Sequence, residues 1–224
     1  MKAVTQFSVS LAFTLAASGA IADSPKLKGS YAFTGSHMCL VSPGTIASST
    51  TPPTNPTPGQ ALPNSGFKSN LQINQTPGVA TTAFSVSSSV AGIRTFNGDG
   101  TGTVTGRGIG LALRPTPGPS DYPSFPPSAS ADTFSYSFTY TVNGDGTFTM
   151  QMTPGSYTGT FVAGPRTGQT YTVDIPPFTG AMSVDSRNLV IATTEPTVET
   201  IKYSNGDVWP RICNRTRTMV RMQN

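Results

Sequence analysis

A five-residue stretch, Asn-Gly-Asp-Gly-Thr, occurs at 97–101 and again at 143–147, and it constrains the fold more than any other feature. A shorter relative, Asn205-Gly206-Asp207, follows near the C-terminal end. Each lies between runs of alternating polar and apolar residues. Asn and Gly tolerate the left-handed backbone that a tight reversal needs, so each reads as the tip of a β-hairpin. The second copy also fixes register. Before it, Phe134, Tyr136, Phe138, Tyr140 and Val142 alternate with Ser and Thr; after it, Phe148, Met150 and Met152 keep the even phase. For both arms to bury one face, paired positions must sum to an even number. A loop of 144–146 that pairs Asn143 with Thr147 meets this condition, whereas a loop one residue longer turns Phe148 outward. The prediction is a type I turn closed by a left-handed Gly146.

The rest of the chain reads as further strands. The pattern predicts them at 28–41, 67–73, 83–89, 90–96, 101–113, 134–142, 147–152, 157–163, 169–175, 178–184, 189–194, 197–203 and 208–222, the second and third being weak. Charged residues make up only 11%, while the chain carries 23 Gly and 20 Pro, which leaves no window for a long helix. Two proline-rich segments, 42–66 and 114–130, are expected as long loops. Gly106, Gly108 and Gly110 leave one face of their strand bare, which predicts a bend or a second backbone passing close. An antiparallel meander without crossover helices follows. Closure into a barrel is favoured because it removes exposed edges; a two-sheet sandwich is the alternative.

Residues 1–22 carry Lys2, an apolar stretch over 7–17 and the small-x-small site Ala20-Ile21-Ala22, the pattern of a cleaved signal peptide. Residues 23–224 are then one secreted or periplasmic domain. Cys39 and Cys213 are the only cysteines, and in an exported chain they are expected to form one disulfide joining the first strand to the last. The formal charge of +4 is too mild to indicate a nucleic-acid partner. The strands are short and the C-terminus lacks an aromatic residue, so stable membrane insertion is not expected.

Candidate chemistry is sparse. Each Asn-Gly-Asp-Gly tip offers one carboxylate, far from the six to eight oxygens calcium takes, so no metal and no cofactor is predicted. His37, the only histidine, shares a strand face with Cys39, but a disulfide removes the thiol that a Cys–His pair needs. Glu195 and Glu199 are separated by Pro196. On the last strand Arg211, Cys213, Arg215, Arg217 and Arg221 share odd parity. Two readings stay open: arginines turned into a barrel, or solvated charges on an edge strand. A bulge at Pro210 would shift that parity.

Gly29-Ser30-Tyr31-Ala32-Phe33, together with Arg215 and Arg217 on the closing strand, resembles a lipocalin-type barrel, with Tyr31 where that family carries Trp. The stretch 96–106 resembles segments of uncharacterised secreted bacterial proteins. The first resemblance implies an up-and-down barrel with a small apolar cavity and no particular ligand. The leading expectation is an exported barrel for a small apolar or amphipathic molecule. Tyr31, Phe33, His37, Tyr136, Phe138, Tyr140, Arg215 and Arg217 are its candidate ligand residues. An interaction module acting through the proline-rich loops and a small barrel enzyme are the alternatives.

Overall fold

The computed structural model describes residues 27–45, 61–62, 64–77, 81, 83–113 and 127–223. Residues 1–22, expected as a signal peptide, and much of both proline-rich segments lie outside them. Eleven strands are present: β1 (Lys28–Val41), β2 (Phe84–Asn97), β3 (Thr101–Leu113), β4 (Ser128–Val142), β5 (Thr147–Met152), β6 (Thr158–Ala163), β7 (Thr170–Val173), β8 (Phe178–Met182), β9 (Asn188–Ala192), β10 (Val198–Tyr203) and β11 (Val208–Arg221). All pairings are antiparallel, and β1 pairs with β11, so the sheet closes on itself. The barrel-like closure agrees with expectation. The general expectation of short strands does not hold, because five run for 13 to 15 residues; the sequence pattern predicts about that length for β1, β3 and β11 but not for β2 and β4.

The ring has eight staves, three of which are split. β1, β2, β3, β4 and β11 run its full height. β5 and β6 lie end to end along β4, while β9 and β10 lie end to end along β11. Between them β8 pairs with β5 and β9, and β7 pairs with β6 and β10. The breaks fall at 153–157, 174–177 and 193–197, and each contains proline: Pro154, Pro176 with Pro177, and Pro196. Proline supplies no ladder N–H, so a stave ends where it stands. Pro210 is the exception. It pairs opposite Thr200 with no shift of register, and the odd parity of β11 survives.

One end of the barrel carries the tips of β2–β3, β4–β5 and β8–β9; the other carries the long connections β1–β2 and β3–β4. At the β4–β5 tip, Asn143 N donates to Thr147 O at 2.8 Å, Gly146 N donates to Asn143 O at 3.1 Å, and Gly146 has φ +83°, the predicted turn. The repeated residues interlock identically at both copies. Asp99 and Asp145 each accept the backbone N–H and the hydroxyl of the Thr two residues on, and that Thr accepts from the Asn amide. These bonds hold both carboxyls below their usual pKa range.

Three expectations need correction. The candidates at 83–89 and 90–96 are one strand, β2. The candidate at 67–73 contains only an isolated Phe67–Ile73 bridge. The proline-rich segments are not loops throughout. Ser42, Pro43 and Gly44 are buried, with Ser42 N donating to Pro210 O at 3.0 Å, and Ser128 to Ser130 pair with β3. Strand pairing satisfies their backbone groups, which outweighs the local turn composition.

The bare glycine face is covered by side chains rather than by a bend or a passing backbone. Inward glycines stand opposite large residues on the adjacent strand: Gly92 opposite Phe33, Gly102 opposite Phe96 and Phe138, Gly106 opposite Phe134, Gly159 opposite Tyr171 and Gly180 opposite Phe148. A Cβ at Gly106 would lie 2.6 Å from Phe134 Cζ. The rings lie flat over the missing side chains, which lets one interior hold this many aromatics.

The tip-end half is filled. Phe96 meets Tyr31, Phe138 and Tyr140 edge-on at 5.0 to 5.4 Å, the geometry aromatic quadrupoles favour. Tyr31 and Tyr140 donate their hydroxyls to Ser186 O at 2.8 Å and Leu27 O at 2.5 Å, closing that end.

Candidate functional site

All eight residues predicted as ligand contacts face inward, but they divide between the two halves. Tyr31, Phe138 and Tyr140 belong to the filled tip-end core, where Phe138 is 1% exposed. Their aromatic alternation reports packing. Phe33, Tyr136, His37, Arg215 and Arg217 line the other half.

There the register of β1 against β11 sets the arrangement. Phe33 stands opposite Met219, Gly35 opposite Arg217, His37 opposite Arg215, Cys39 opposite Cys213 and Val41 opposite Arg211. The disulfide between Cys39 and Cys213 forms as expected and leaves no thiol for His37. With β1 on one side and β9 and β10 on the other, β11 has no free edge, so the edge-strand reading of its arginines is overturned. Arg211 and Arg215 are drawn inward to one buried carboxylate. Arg211 Nε donates to Glu199 Oε1 at 2.6 Å, and Arg215 Nη2 donates to the same oxygen. Burial pushes the Glu199 pKa up, but the two guanidiniums outweigh it and hold the group ionised. Glu195 is exposed and takes no part.

Above Gly35, Arg217 lies along the wall. Its Nη1 donates to Ser36 O and Thr216 O at 2.6 and 2.7 Å, and its Nη2 approaches His37 Nδ1 at 3.4 Å. Burial and the charges of Arg211, Arg215 and Arg217 drive the His37 pKa down to about 2, so the ring is neutral and accepts from Arg217.

Arg94, on β2, was missed. It is 1% exposed, lies 5.7 and 5.4 Å from the ring centres of Phe33 and Phe138, and donates to Tyr136 Oη at 2.8 Å. Its position in the strand was the available signal: Arg94 falls in the even phase of Val90 and Phe96, a charge on an apolar face. Also missed was a tyrosine network around Tyr157, which enters from the β5–β6 break and stacks on Phe134 and Tyr136. Its hydroxyl lies 3.2 Å from that of Tyr171, which donates to Asp132. Burial raises the pKa of Asp132 and of both tyrosines. At the loop-end rim, Arg166 pairs with Asp207 at 3.0 Å and covers the ring of Tyr203.

The outer surface differs. A shallow trough of about 690 Å³ crosses β2, β3, β4 and β6 over Gly92 and Gly106, bordered by Thr105, Thr133, Ser135, Thr158 and Thr160. Arg107 and Phe134 also line it, and it faces away from the interior arginines. Comparison of the chain with family models, with curated proteins and with solved structures finds no match, so the lipocalin-type resemblance extends to barrel-like closure alone.

Proposed function

We propose that this protein is an exported binding protein that holds a small amphipathic molecule in the loop-end half of its barrel. The observation that carries this reading is the contrast between the two halves of the interior. At the tip end the inward side chains are packed out of contact with solvent. At the loop end Val41, Tyr171, Ile201 and Trp209 are buried, but inward-facing Phe84, Val86, Phe134, His37 and Arg217 are only partly so. An apolar wall from β1, β2 and β4 there faces a basic wall from β11, the pairing of surfaces an amphipathic ligand needs. The disulfide is compatible with an oxidising compartment, and a secreted or periplasmic location belongs to this proposal. Outward positions of β4 such as Thr133, Ser135, Ser137, Thr139 and Thr141 carry hydroxyls, whereas outward Met38, Leu40, Ile109, Leu111 and Leu113 on β1 and β3 are apolar.

The test is native mass spectrometry of the oxidised protein after incubation with a total lipid extract. A stoichiometric adduct of discrete mass is expected. An adduct-free spectrum under conditions that preserve the fold would overturn the reading.

A further inference from the structure

Charge in the barrel interior does not balance. Arg94, Arg211, Arg215 and Arg217 face inward, and the carboxylates that face them are Glu199 and Asp132. Glu199 is taken by Arg211 and Arg215, and Asp132 by the hydroxyl of Tyr171. Among the described residues, Arg94 and Arg217 form no ion pair. A guanidinium does not lose its proton in a protein, so these charges cannot be relieved as a lysine or histidine relieves them. Burying a charge without a partner is strongly unfavourable. What surrounds Arg94 is two rings, one hydroxyl and the Met219 sulfur at 3.6 Å from Nη1.

Two buried nitrogens identify where a partner belongs. Among the described residues, Arg94 Nε and Arg215 Nη1 have no hydrogen-bond partner, although their residues are only 1% and 3% exposed; Glu199 Oε2 has none either. Arg217 lies between them in height along the barrel, opposite Gly35. On β1 Phe33, Gly35 and His37 are successive inward positions, with the Arg94 guanidinium over the Phe33 ring, Arg217 opposite Gly35 and Arg215 opposite His37. Burial lowers the Arg217 pKa to about 10, and the charges of Arg215 and Arg94 push in the same direction. His37, neutral beside them, relieves none of this charge. The nearby tyrosines, Tyr136 and Tyr157, bring further hydroxyls.

We infer that the head group of the bound molecule is an oxyanion, a carboxylate or phosphate monoester, seated among Arg94, Arg215 and Arg217. Guanidinium forks match the paired oxygens of such groups and discriminate against a cation or a neutral hydroxyl. Phe33 and Phe134 then border the apolar part. This deepens the amphipathic-ligand reading and rests on it.

Isothermal titration calorimetry on the oxidised full-length domain, with four eight-carbon probes, separates the two claims. Octanoate and octyl phosphate are expected to bind about tenfold or more tighter than octanol, with octylammonium weakest. Their ranking assigns carboxylate or phosphate. Raising the salt concentration should weaken the anions and leave octanol unchanged. Arg94→Met, checked by circular dichroism, should remove the preference for anions while keeping octanol affinity; Arg217→Met serves if that variant does not fold. Octanol or octylammonium binding as tightly as octanoate would overturn the oxyanion assignment and leave the amphipathic reading standing. Binding of none of the four, with an adduct-free mass spectrum, would remove both.

Discussion

Glu199 Oε1 accepts from Arg211 Nε at 2.6 Å and from Arg215 Nη2, so one carboxylate oxygen of β10 holds two guanidiniums of β11. Removing that charge while keeping the shape leaves both cations buried without a counter-ion. Glu199→Gln is therefore expected to destabilise the fold by about 3–5 kcal/mol, read as a lower urea midpoint with unchanged slope. A loss below about 1 kcal/mol would show that the pair is solvent-relieved.

Acid should unfold this protein earlier than its carboxylates alone predict. His37 has its folded pKa depressed from 6.5 to about 2, so below pH 6.5 the unfolded chain takes up a proton that the folded chain refuses. Stability is full above that pH and falls as pH drops, by at most ~1.4 kcal/mol per unit. Glu199, also depressed, adds a loss in the same direction lower down. Asp132 runs the other way: its raised pKa gives a contribution that is full at low pH and lost as pH rises through its folded value. His37→Asn should flatten the melting temperature between pH 7 and pH 5. An unchanged slope would locate the acid sensitivity elsewhere.

Reduction tests how the seam is held. Cys39 and Cys213 close a loop of 174 residues, for which the chain-entropy model gives roughly 5 kcal/mol and engineered cases often less. Replacing both with Ala should lower stability by about 2–5 kcal/mol while the β spectrum persists, because β1 pairs with β11 from Tyr31 opposite Arg221 to Val41 opposite Arg211. Loss of the spectrum at room temperature would show that the ladder does not hold without the bond.

Glycines make a finer test. Gly146 has φ +83°, so Gly146→Ala should cost about 1–2 kcal/mol, while Gly144→Ala, with nothing near its added methyl, should change stability by less than about 0.5 kcal/mol. Gly106→Ala places a methyl against Phe134 and should cost about 1–3 kcal/mol by overpacking. Equal effects at 144 and 146 would contradict the assigned turn.

The hairpin tips were legible because their chemistry is local. Asn, Asp, Gly and Thr carry the turn within five residues, and alternation in the arms carries the register. The limits of β1 and β3 were legible too, since Gly, Pro and the tips bound them. The three split staves were not recognised, because a stave that stops and resumes in line looks like two strands joined by a loop. The arginine site was half legible. Parity placed Arg211, Arg215 and Arg217 on one face, but choosing inward from outward required knowing that β11 has neighbours on both sides. Glu199 stands opposite Arg211 across the β10–β11 hairpin, a meeting that the Asn205-Gly206-Asp207 tip encodes locally. Arg94 joins that wall only through the pairings of β2 with β1 and of β1 with β11, which no local spacing encodes. The rings over glycines show the same limit: a glycine row looked empty because its covering side chains belong to other strands.

The three breaks in the wall give the barrel two independent hydrogen-bond circuits, one through β5, β8 and β9 and one through β6, β7 and β10, sharing five continuous strands. Register in one circuit is not transmitted to the other through the broken staves. Insertions and substitutions at the exposed positions of β6, β7 and β10 can therefore be absorbed without shifting the register of the aromatic base.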